Sequence, residues 1–188
     1  MERQSKSDMF FRRSYFVGLM VVLLAVVGGL QICNRPTRGA VIEQLQSDNK
    51  RFRVRVTAYE ETGVNVNGAY YLFEAASSGS DQWREIMTFR HDDQPKIQTD
   101  QVRFINDDIG YVFMGWMYAV TTDAGATWTV WSAEKDLRDW QCCNYKLISD
   151  VIIASDGRGV MKLNPVAGRR GEVAELQTND YGRHWTQP

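Results

Sequence analysis

Histidine and cysteine are scarce in this chain: two and three residues among 188. Neither His91 nor His184 has a second histidine close in sequence, and no Cys-x-x-Cys occurs, so zinc and thioredoxin-type chemistry are not indicated. His91 precedes Asp92 and Asp93, but this polar stretch reads as a solvated turn rather than a metal loop. No Gly-x-Ser-x-Gly elbow, phosphate loop or His-Glu-x-x-His is present, and no cofactor is implied. A formal net charge of −1 leaves no broad basic field, which argues against nucleic acid as a partner. A hydrophobic content of 44% with 12% aromatics excludes a disordered chain, and the abundant flat rings lean towards β-structure.

Charge is missing altogether from one stretch. From Ser14 to Cys33 the sequence is SYFVGLMVVLLAVVGGLQIC, 20 residues without a charged side chain. At about 1.5 Å per residue a helix of that length spans roughly 30 Å, the thickness of a bilayer core. A secretory leader has a shorter apolar core and ends at small residues. No Ala-x-Ala precedes a cut here, Ile32 is too bulky for a lipoprotein site at Cys33, and the Arg12-Arg13 pair follows Phe11. Residues 14–33 therefore read as a retained transmembrane anchor contacting the lipid bilayer. Arg3, Lys6, Arg12 and Arg13 precede it, against Arg35 and Arg38 just after. The positive-inside rule then makes residues 1–13 a cytoplasmic tail and puts the rest outside, in the periplasm or extracellular space. Residues 34–50 read as a linker in which Val41–Gln46 can form a turn or two of helix, and 51–188 as the folded domain.

The remaining cysteines, Cys142 and Cys143, are neighbours. Their Cα atoms are about 3.8 Å apart, which disfavours a disulfide, so the pair is either two thiols or a strained vicinal bridge.

Past residue 50 the pattern has period two. FRVRVTAY places Phe52, Val54, Val56 and Ala58 on one face and Arg53, Arg55, Thr57 and Tyr59 on the other. AYYLFEAA and QWREIMTFR follow as strands, with turn residues between. A second block runs from QVRFIND through YVFMGWMYAVTT to TWTVWS, and a third from LISDVIIAS through VMKLNP and EVAELQT to HWTQP. Each block ends on a strand carrying a tryptophan: Trp83, Trp128 and Trp185. The expected fold is all-β, in three antiparallel units after the N-terminal membrane helix.

One octapeptide occurs twice. Thr121, Asp123, Gly125 and Trp128 recur at the same spacing as Thr178, Asp180, Gly182 and Trp185. The aspartate can accept hydrogen bonds from its own turn, the glycine can take positive φ, and the tryptophan can fill the core. Counting back from Trp83, the first block holds Ser78 and Ser80 at the Asp and Gly positions, a degenerate copy. One carboxylate per turn is a poor calcium site.

Thr-x-Asp-x-Gly-x-x-Trp resembles the Asp-box, or BNR repeat, of sialidases, sortilin-type receptors and photosystem-assembly propellers. Residues 100–131 resemble a whole β-propeller blade of that class. The resemblance implies a structural role for the box. Sialidase activity needs an arginine cluster, a Tyr–Glu pair and an Asp spread over six blades; about 140 residues cannot supply six blades of roughly 40–45 residues. Three blades also fall short of the usual four to eight. Either the units form an open, curved sandwich, or other chains or partners complete them, so a protein partner or a homo-oligomer is expected.

A recognition surface is expected in the insertion Ala133–Leu147, at Arg138, Trp140 and Tyr145, and at Trp116, Tyr118 and Trp131, because interfaces favour Trp, Tyr and Arg on loops of a rigid scaffold. The functional expectation is a non-enzymatic, membrane-tethered protein-binding module, an assembly factor or an immunity-type inhibitor. The competing class is a glycan-binding or glycosidase-related module.

Overall fold

The computed structural model describes residues 38–61, 68–92, 94–137, 146–165 and 173–188. Turn residues cut the alternating runs into strands, and consecutive strands pair antiparallel. β1 (Arg38–Asp48), β2 (Phe52–Glu61), β3 (Ala69–Ser77) and β4 (Arg84–His91) form one sheet in chain order. β5 (Val102–Phe104), β6 (Gly110–Met114), β7 (Met117–Thr121) and β8 (Thr129–Ser132) form a second. β9 (Lys146–Ile153), β10 (Gly159–Pro165) and β11 (Ala174–Thr178) form a third, and the bridge Gln177↔Thr186 stands in the place of its fourth strand. The described residues are thus all-β in three antiparallel meanders. Helix among them is confined to Thr99–Gln101 and Ala133–Asp136. None of it is long and apolar enough to cross a membrane, and residues 14–33 lie outside the described residues.

The second sheet is the middle layer. Val112, Met114 and Ala119 join one buried cluster with Phe52, Val54, Val56, Tyr71 and Phe89 of the first sheet. Their strand neighbours Tyr111, Phe113, Tyr118 and Val120 join another with Val151, Met161, Leu163 and Leu176 of the third. Every residue of β6 is buried, which is why its sequence is apolar without a break. A large side chain so buried contributes about 1.5–3 kcal/mol.

Two expectations need correction here. Val41–Gln46 is extended, not helical: β1 pairs with β2 from Leu45↔Val56 to Asp48↔Arg53, so the sheet takes up most of the segment read as a linker. Thr57, on the polar face of β2 by alternation, is 1% exposed because Gln44 of β1 covers it and donates to its Oγ1 at 3.0 Å.

Candidate functional site

The two octapeptides fold into superposable turns after β7 and β11. Thr121 Oγ1 donates to Asp123 Oδ1 at 2.8 Å and accepts the Gly125 N–H at 3.0 Å. Asp123 also accepts the Thr127 N–H at 2.8 Å and the Thr127 hydroxyl at 2.6 Å. In the second turn Thr178 Oγ1 donates to Asp180 Oδ1 at 2.8 Å and accepts the Gly182 N–H at 2.9 Å. Asp180 accepts the His184 N–H at 3.0 Å and pairs with His184 Nδ1 at 2.6 Å, so His184 takes the place of the Thr127 hydroxyl. Ala124 and Gly125 have φ of 56° and 78°, and Tyr181 and Gly182 have 65° and 83°. Two successive positive φ values are the mark of a type I′ turn.

Both turns are tied to the first hairpin of their own sheet. The Ala124 N–H donates to Asp108 O at 2.8 Å, and the Tyr181 N–H to Gly157 O at 2.9 Å. The first sheet has the same tether, from the Ser78 N–H to Arg51 O at 2.8 Å. Ser78 therefore matches Ala124 and Tyr181. Ser77 stands at the Asp position, Gly79 with φ 76° stands at the Gly position, and one extra residue precedes Trp83. This corrects the alignment that put Ser78 and Ser80 at the Asp and Gly positions. The tether and the glycine's positive φ persist without the side-chain lock, but Ser78 lacks the positive φ of Ala124 and Tyr181, so this turn is not of type I′.

Each complete octapeptide also clamps the sheet before it. A Cβ on Gly125 would lie 3.1 Å from Phe52, and Trp128 meets the Phe52 ring edge-on at 6.2 Å. Trp185 meets Tyr118 at 5.5 Å and 86°, and the Tyr118 hydroxyl donates to Tyr181 O at 3.2 Å. Arg84 makes the corresponding link in the first interface, donating to Gly125 O at 3.1 Å. The indole N–H groups of Trp128 and Trp185 are buried without a hydrogen-bond partner, so these rings act through packing. In the first sheet no earlier layer is met among the described residues: Gly79 has nothing within 4 Å of an added Cβ. The Trp83 ring carries the guanidinium groups of Arg55 at 4.1 Å and Arg53 at 5.0 Å.

Charge at the turns is committed locally. Desolvation opposes ionisation of Asp123, but hydrogen bonds from Thr127, Thr121 and Ala126 outweigh it and hold the carboxyl below its usual range. Asp180 behaves alike, with desolvation outweighed by His184 and Thr178. Among the described residues no group of three His, Cys, Asp or Glu is placed to hold a metal ion.

The expected recognition residues separate. Tyr118 and Trp131, expected on the surface, are 0% and 7% exposed because the third sheet covers their face of β7 and β8. Trp116 is half-buried and packs edge-on against Phe89 at 4.7 Å. Arg138, Trp140, Tyr145, Cys142 and Cys143 lie outside the described residues.

Sequence reasoning missed the outward face of the third sheet. There a shallow concavity of about 790 Å³ is lined by Ile152, Val160, Lys162, Glu175 and Gln177, among others. Ile152 is 58% exposed at its edge. Lys162 and Glu175 pair across it at 3.9 Å. Glu175 lies three residues before Thr178, as Tyr118 lies three before Thr121, so a carboxylate stands where the second sheet offers a ring. The alternation of Val151 with Ile152 in DVIIAS was the available signal. No protein-family model, curated protein or solved structure matches the chain.

Proposed function

We propose that this chain is a membrane-anchored, extracytoplasmic protein-binding module of Asp-box type, without catalytic activity of its own. Residues 14–33 are its anchor, and the three sheets are propeller-blade-like units. It serves as an assembly or accessory factor, or as an immunity-type inhibitor.

The observation that carries this reading is how the two octapeptides are used. Both oxygens of each Asp carboxylate are engaged inside the turn, each Gly closes on a neighbouring aromatic side chain, and each Trp packs on a ring of the preceding sheet. A group engaged in that way is architecture, and little of it is left to bind or turn over a substrate. What remains for recognition is the surface beyond the joints. The concavity on the third sheet joins exposed Ile152 to the Lys162–Glu175 pair, an apolar spot with a polar rim, as protein interfaces have.

The test is photo-crosslinking in native membranes from position Ile152, with Arg53 on the opposite outer face as reference. A discrete protein adduct at Ile152 supports the reading, and an adduct with a second copy identifies a homo-oligomer. Specific binding on a glycan array, with no protein adduct from either position, would replace it by the glycan-binding alternative.

A further inference from the structure

The tethers put the three sheets in one register, because their accepting carbonyls belong to Arg51, Asp108 and Gly157. Five residues on from these stand Val56, Phe113 and Lys162, whose partners across the ladder are Phe73, Tyr118 and Glu175. Four residues on stand Arg55, Val112 and Met161, paired with Glu74, Ala119 and Leu176. Successive strand residues point to opposite sides, so the two sets occupy opposite faces of every sheet.

Both joints between sheets use these pairs in the same order. Val56 and Phe73 of the first sheet share a cluster with Val112 and Ala119 of the second. Phe113 and Tyr118 of the second share another with Met161 and Leu176 of the third. All eight are at most 3% exposed. One pair is left over on each outer face, and each is an ion pair. Arg55 Nη2 lies 2.7 Å from Glu74 Oε2 on the first sheet, and Lys162 Nζ lies 3.9 Å from Glu175 Oε1 on the third. The tryptophans follow the same change. Trp128 and Trp185 reach a ring of the preceding sheet, whereas Trp83 lies under Arg55 of its own.

A third joint would lay Lys162 and Glu175 of one copy on Arg55 and Glu74 of another. Each pair is already matched within its own sheet, so covering both takes four charges out of water and adds little apolar contact. Stacked repeats end on polar outer faces for the same reason.

We propose that the two outer faces are the halves of a stacking interface for a second copy of this chain, held open by the Arg55–Glu74 and Lys162–Glu175 ion pairs. Copies stay apart, and the face of the third sheet stays free for a different partner. The blocked interface needs neither the anchor nor that partner.

The test gives each outer face the pair that the second sheet carries. The full chain is prepared in detergent as the parent, as Lys162→Phe with Glu175→Tyr, and as Arg55→Val with Glu74→Ala, and its size is followed by sedimentation over a wide concentration range. The parent and each double variant should keep one size. An equimolar mixture of the two variants should form one-to-one complexes. The chain with all four changes should form a growing series of oligomers, because a head-to-tail contact does not close. Cooperative melting shows which variants fold, and the pairs of the other joint replace any that do not: Lys162→Val with Glu175→Phe, and Arg55→Met with Glu74→Leu. A mixture of folded variants without complexes overturns the proposal, as does failure of both versions of a face to fold. Oligomers of one double variant by itself, as large as those of the mixture, overturn the match between the faces. So does a carbodiimide crosslink in the parent between Lys162 and Glu74, which lie on opposite outer faces and meet only across two copies.

Discussion

Gly182 faces the phenol of Tyr118 so closely that an added Cβ would lie 2.9 Å from Tyr118 Cζ. Gly79 occupies the corresponding turn of the first sheet with nearly the same φ, 76° against 83°, yet has nothing within 4 Å. The pair separates two costs that usually travel together. Alanine at Gly79 should cost only the left-handed backbone strain, about 1–2 kcal/mol. Alanine at Gly182 should cost that plus about 1–3 kcal/mol of overpacking against Tyr118. Denaturant unfolding of the two variants in detergent checks this, and equal losses would show that the Gly182–Tyr118 contact does not join the sheets.

Much of this arrangement was readable in advance, and the failures have physical causes. Period-two alternation located Phe52, Val54 and Val56 on the core face because the opposite face of β2 is polar. The aspartate's role as acceptor from its own turn was legible because it is local, whereas the threonine hydroxyl's bonds to the aspartate and the glycine N–H were not read. Whether a face is covered by another sheet is not a local property, and so Tyr118 and Trp131 were taken for surface. β1 escaped notice because its bulges break the alternation and much of it is exposed. The first turn was misaligned by one residue because Trp83 is displaced from its Gly79 relative to the complete copies.

Thr121 and Thr178 carry more than their size suggests. Each hydroxyl is buried, accepts a glycine N–H and donates to the aspartate. Valine at either position keeps the volume and leaves the glycine N–H unsatisfied. A loss of about 1–3 kcal/mol is expected in thermal or urea unfolding, and serine should recover part of it. Valine variants as stable as the parent chain would refute the hydroxyl's role.

Acid should loosen the same turns. The folded carboxyls of Asp123 and Asp180 titrate below the ordinary aspartate value of 3.8, so around and below that value the unfolded chain binds more protons than the folded one. Their contribution is present above pH about 4 and is lost as pH falls through the lowered folded values. The melting temperature measured down that range should drop in the parent chain and drop less steeply in an Asp123→Asn, Asp180→Asn double variant. Parallel curves for the two proteins would sink the assignment.

The three tryptophans should rank by what they touch. Trp128 and Trp185, both half-buried, pack edge-on against Phe52 and Tyr118 at the joints between sheets, and replacing either with alanine should cost about 3 kcal/mol, the low end of the loss for a large aromatic removed from a core. Trp83 ends the series on the outer face, where its partners are the guanidinium groups of Arg53 and Arg55. Trp83 is half-buried and the two arginine side chains are 19% and 25% exposed, so the contacts fall between the exposed and desolvated limits of about 0.5 and 2 kcal/mol, and Trp83→Ala should cost roughly 1–2 kcal/mol. Coupling sharpens the distinction. Phe52→Leu combined with Trp128→Ala should fall short of the sum of the single losses, because either change already opens the same joint. Phe52→Leu combined with Trp185→Ala should be additive, since Trp185 packs at the other interface. Unfolding free energies of the four single and two double variants decide it, and a Trp83→Ala loss as large as that of Trp128→Ala would mean that a further layer covers the first sheet.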